Sequence, residues 1–178
     1  LHHTREAKHL CACYHLLGEN FSGIRPSQWN TQQIAVLLDP QATQIYQGQG
    51  HLFAYLNALD LNDIDRAKYH LEISLATRHI TAILPVVIEL EAVYFYAAIL
   101  KNGNEAQKWN QKTKHLHFAE KQANARAQAA LFLVQNQLQP ALDQINIAMQ
   151  MIHTAPVTGL HIAEKEWLKN LKASVVDS

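Results

Sequence analysis

The stretch from His51 to His79, HLFAYLNALDLNDIDRAKYHLEISLATRH, restricts the possible folds more than any other part of the chain. Leu52, Tyr55, Leu56 and Leu59 recur at helical spacing, and after the polar LNDID segment Ile64, Ala67, Leu71 and Leu75 do the same. Each helix therefore carries one apolar stripe that it cannot bury alone. Asn62 and Asp63 are short side chains able to accept from the free N–H groups of a first helical turn, so the second helix is expected to start there. Two such helices joined by so short a polar turn are expected to fold back on each other as an antiparallel pair.

A looser form of the design recurs twice. AAILKNGNEAQKWNQK (97–112) turns at Asn102-Gly103-Asn104, and AALFLVQNQLQPALDQINIAMQ (129–150) turns through Gln135–Gln139 and Pro140. The small residue opening the second helix of each pair is Ala67, Ala106 and Ala141, at intervals of 39 and 35 residues.

Over about residues 43–153 these features resemble the tetratricopeptide family, whose repeat is roughly 34 residues. In that pattern one small residue sits in the first helix, another opens the second, and a third follows seven residues on. Ala129, Ala141 and Ala148 match in the last pair, and Ala54, Ala67 and Ser74 match in the first if its turn holds one extra residue. The middle pair keeps Ala106, while the family's early Trp and its Leu-Gly pair are absent throughout. The resemblance implies an all-α stack of antiparallel helical hairpins, a TPR-like α-solenoid, spanning 41–153. N-terminal helices (1–40) would pack on it and a capping helix (154–178) would close it. The alternative fold is an irregular helical bundle.

Composition narrows the job. The 15 Lys and Arg equal the 15 Asp and Glu, so no charge excess points to nucleic acid or a lipid surface. Six Gly and five Pro in 178 residues favour helices. Pro85, Glu89 and Glu91 interrupt the most apolar segment, Ile80–Leu100, so no membrane span is expected. Cys11 and Cys13 are two apart on an expected helix and point to different faces, which argues against a disulfide and for a reducing, cytoplasmic setting. The chain starts at Leu1 without Met and reads as an excised fragment.

Along the chain, helices are expected from Thr4 to about Leu17, stopping at Gly18 or shortly after, by Ser22-Gly23, with Ala7, Leu10, Tyr14 and Leu17 on one face, and from a Ser27 cap through Leu38. Asp39-Pro40 should open a long helix to about Asp60, and Pro85 one running to Leu100. Asn104 should cap a short helix ending near Lys114; further helices are expected over His117–Val134, Gln139–His153 and Gly159–Ala173.

The search for chemistry finds little. His9, Cys11, Cys13 and His15 alternate, and on a helix that spacing spreads them around the axis instead of onto one ion. They read as two buried thiols flanked by exposed imidazoles, and His115 and His117 have the same spacing fault. His51, His70, His79, His153 and His161 read as single surface residues; Glu89 and Glu91, and Glu164 and Glu166, read as solvated faces. No HExxH, Gly-rich phosphate loop or GxSxG occurs. No catalytic residue, metal or cofactor is expected.

A protein or peptide partner is expected instead. The tetratricopeptide resemblance implies a groove lined by the first helix of each pair, which places His51, Tyr55, Glu91, Phe95 and Arg126 near its wall, with core as the other reading for Tyr55 and Phe95. A second resemblance covers nearly the whole chain, through GIRPSQW, LLDP, YLNALDLNDIDRAKYHLE, IELEAVYF, ARAQAALFLVQNQLQPAL and AEKEWL. It is similar to the soluble helical region after the membrane core of bacterial site-2-type zinc metalloproteases. That implies a cytosolic appendage whose partner is the membrane-embedded part of its own parent chain. The competing function is a small helical enzyme or metal-binding domain whose site is assembled only in three dimensions.

Overall fold

The computed structural model describes residues 2–80, 85–113 and 121–176. Among these every regular element is helical: α1 (His2–Phe21), α2 (Thr31–Leu37), α3 (Gln44–Asp60), α4 (Ile64–Thr77), α5 (Pro85–Tyr94) with a π-helical continuation (Phe95–Ile99), α6 (Gly103–Asn110), α7 (Lys121–Val134), α8 (Leu138–Thr154) and α9 (Gly159–Val176). The chain is all-α. It divides into two compact units, one of Leu1–Pro85 with Val157–Ala163, the other of Val86–Pro156 with Glu164–Ser178. The division falls inside the segment read from the sequence as one array.

Three junctions share one construction. Asn62, Lys101 and Asn136 adopt φ of 58°, 53° and 59°, the left-handed conformation that ends a helix. Asp63, Asn102 and Gln137 follow as N-caps, and their carbonyls accept from the N–H of Ala67, Ala106 and Ala141. All three alanines are fully buried. In the first and last junctions the N-cap N–H donates to the carbonyl five residues back, Asp63 to Ala58 and Gln137 to Phe132. These two turns are equal in length, so the extra residue expected in the first turn is not there. Counted from the turn, Tyr55 and not Ala54 stands where Ala129 does. The extra residue lies in the middle pair, where the π-helical segment makes Asn102 N–H reach six residues back to Tyr96.

In the first unit α3 and α4 pack along their length. His51 meets His70 and Asn57 meets Arg66, and because one number falls as the other rises, the pair is antiparallel. The Asp63 side chain accepts from Arg66 N–H, the cap expected from sequence. Gly48 and Gly50 do not break α3; a Cβ on Gly50 would lie 2.8 Å from Leu37 Cβ, so its bareness lets α2 cross closely. In the second unit α7 packs on α8 and on the π-helical segment, which also holds α6.

Three expected helix starts are displaced. Ser27 caps nothing: Pro26–Gln28 forms a 3-10 turn, Ser27 N–H donates to Asp60, and Asn30 caps α2 through Gln32 and Gln33. Asp39 spends its carboxylate on Gln41 N–H in a turn, leaving α3 to begin after Thr43. Asn102, not Asn104, caps α6 by accepting from Glu105 N–H. Lys114 and the expected helical segment 117–120 lie outside the described residues. α1 runs four residues beyond Leu17, closing at Gly23 with φ 81° as Ile24 N–H donates to Glu19.

Candidate functional site

Helix α1 sets up the first feature. Its packed face is His9, Ala12, Cys13 and Leu16, all buried. The row one residue on, Leu10, Tyr14, Leu17 and Phe21, keeps helical spacing and remains exposed, Tyr14 at 67% and Phe21 at 70%. The expected stripe Ala7–Leu10–Tyr14–Leu17 is thus real as a pattern and uncovered in the unit. Beside it, α1 and α3 bound a groove of about 560 Å³, its apolar wall formed by Leu10, Tyr14, Leu17, Ile45, Tyr46 and Phe53. Cys13 lies at its floor with Sγ 2.7 Å from Gln49 Oε1, and burial pushes that thiol up to about 11.

A second feature lies inside the second unit. Arg126 is 1% exposed on α7, and its Nη2 pairs with Glu91 Oε1 of α5 and stands 3.6 Å from Glu164 Oε1 of α9. Gln122, one turn earlier, donates to Glu164 Oε2. Aromatic rings cover the guanidinium, with Tyr94 centred 4.4 Å and Trp167 5.2 Å from Cζ. Burial raises the Tyr94 phenol, outweighing the opposing pull of Arg126. Glu89, Glu91 and Glu164 are all buried, which corrects their reading as solvated faces: the desolvation cost of Glu91 and Glu164 is met by a cation brought from another helix.

The five residues expected along one groove separate. Glu91 and Arg126 are brought together, but as an enclosed ion pair; Phe95 is fully buried in the same unit. Tyr55 is fully buried in the first unit, in the core reading also open to it. His51 is half-buried and, unexpectedly, faces His70, with Nδ1 to Nδ1 at 2.9 Å. Neither is the isolated surface histidine that spacing suggested; burial lowers both, His70 to about 4 with help from the charges of His51 and Arg66.

The N-terminal His/Cys run behaves differently again. Cys11 is exposed and only Cys13 is buried, while His9 is buried and His15 sits 3.3 Å from Glu19. The expectation of two buried thiols with exposed imidazoles holds at Cys13 and His15 and is corrected at Cys11 and His9, since residues two apart face different directions on α1. His115 and His117 lie outside the described residues. Among the described residues no group of three or more His, Cys, Asp or Glu could hold a metal ion, and no helix is long and apolar enough to cross a membrane.

No family model, curated protein or solved structure matches this chain. Of the features above, sequence reasoning missed the α1 groove, the enclosed Arg126 cluster and the His51–His70 contact. For the groove a signal existed: α1 has two apolar rows one residue apart, more than one neighbouring helix can cover.

Proposed function

We propose that this chain is a protein-recognition module of tetratricopeptide-like type, without catalysis of its own, that holds an amphipathic helix or peptide on α1. The observation that carries the reading is the uncovered row Leu10, Tyr14, Leu17 beside a groove of about 560 Å³ on a helix whose other face is already packed. Apolar anchors seated in such a groove supply most of the affinity in helix-in-groove binding. The repeat character is supported by three left-handed turn residues, each five positions before a fully buried alanine. The second resemblance names a specific occupant, the membrane-embedded part of the parent chain, and a place on the cytosolic side of a membrane.

Panning the purified chain against a random 12-residue peptide library tests this. Enriched peptides with large apolar residues at helical spacing, whose binding falls at least tenfold on Leu17→Asp with unchanged circular dichroism, are the expected outcome. No enrichment, or binding indifferent to Leu17→Asp, would overturn it.

A further inference from the structure

The His51–His70 contact joins two helices whose relative position is tightly set. The Asn62 turn fixes the α3–α4 connection, and Asn57 Oδ1 accepts from Arg66 Nη2 nine residues away. The rings are 5.1 Å apart and tilted by 46°, with Tyr69 edge-on to His70 at 5.1 Å and to His51 at 6.4 Å. At 2.9 Å one Nδ1–H donates to the other Nδ1, so the two ring nitrogens face each other across the helix pair, one as donor and one with its lone pair. The nearest guanidinium, Arg66, is engaged by Asp63 at 3.4 Å and by Asn57.

We propose that His51 and His70 form a two-imidazole chelate across the α3–α4 pair for a borderline divalent ion such as zinc, nickel or copper. Imidazole nitrogens suit these ions, whereas magnesium and calcium demand oxygen ligands. Two nitrogens each about 2.0–2.1 Å from a tetrahedral ion lie about 3.3 Å apart and both point at the ion, so loading parts the two Nδ1 atoms by a few tenths of an ångström and turns each ring by roughly 35° off the line that now joins them. The donating ring moves its proton from Nδ1 to Nε2 through solvent, which leaves both imidazoles neutral and both Nδ1 lone pairs on the ion. Water completes the coordination on the exposed side. Such an open site exchanges its ion and staples the hairpin when loaded, which closed four-ligand sites do permanently.

Titration calorimetry of the full chain with nickel chloride, then zinc chloride, tests the assignment alongside ¹⁵N spectra of the imidazoles. The expected result is a binding event that weakens about tenfold or more in His51→Gln and in His70→Gln, at least the effect of losing an outer-sphere partner. His153→Gln, an exposed control, should leave it unchanged, and the Nδ1 resonances of His51 and His70 should move on loading. Titrations of the two variants that superimpose on the unmodified chain, or no binding at all, would overturn the proposal. Should either variant lose helicity, the imidazole resonances of the unmodified chain decide: unmoved Nδ1 signals under saturating zinc sink it.

Discussion

Helices α1 and α7 invert the usual rule. Helix α1 leaves Leu10, Tyr14, Leu17 and Phe21 in solvent, while α7 encloses the guanidinium of Arg126. Hydropathy alone would exchange them. The difference is a matter of partners: Arg126 finds Glu91, Glu164 and two aromatic rings within its own unit, whereas the second apolar row of α1 finds no covering helix among the described residues of its unit. A buried charge is tolerable where opposite charge converges on it, and the exposed apolar row is the feature on which the proposed recognition role rests.

The contrast can be broken first at its costly end. Arg126→Met removes the cation and leaves two buried carboxylates uncompensated, so urea denaturation should show a loss of about 3–5 kcal/mol. Adding Glu91→Gln and Glu164→Gln should recover much of it; a loss below about 1 kcal/mol in the single variant would mean that the cluster is solvated after all.

Next in size is Asp60, whose side chain accepts from Arg25 Nε and Nη2 at 2.9 and 2.6 Å and from Ser27 N–H at 2.7 Å. Burial pushes this carboxyl up, but the bonds to Arg25 and Ser27 and the Arg25 charge together outweigh it and hold it below its ordinary value. A depressed carboxylate contributes stability above its unfolded value, about pH 4, and loses it as pH falls through the folded value. Stability of the unmodified chain should therefore decline more steeply below about pH 4 than that of Asp60→Asn, and Asp60→Asn should cost about 1–2 kcal/mol at pH 7. Parallel acid curves would remove Asp60 from the account.

The smallest effect belongs to α1. Leu17→Asp should shift stability by no more than about 0.5 kcal/mol, because the side chain is already partly in water. A loss several times larger would show that the row is packed, collapsing the contrast with α7.

Much of the helical order was legible locally. Periodicity and Asp63 located the end of α3 and the start of α4, and Pro85 marked the start of α5, because these signals act within one turn of chain. The caps at Ser27, Asp39 and Asn104 misled for a common reason. Each is a good cap in isolation, but Asp60 claimed the Ser27 N–H, a tight turn claimed Asp39, and the left-handed residue at Lys101 advanced the cap to Asn102. The candidate residues fared similarly, with Glu91 and Arg126 chosen from a turn alignment for a shared groove and found instead as an ion pair 35 residues apart in sequence.

What the sequence by itself determined is the all-helical class, the three small residues at the openings of second helices, and the excess of apolar surface on α1. These follow from backbone periodicity and side-chain size, which neighbours along the chain settle between them. Only the tertiary structure decided that His51 faces His70, that Arg126 sits between Glu91 and Glu164, and that Leu10, Tyr14 and Leu17 stay uncovered. Each depends on which helix lies beside which, a contest among distant segments for desolvation, charge and space that no local pattern encodes.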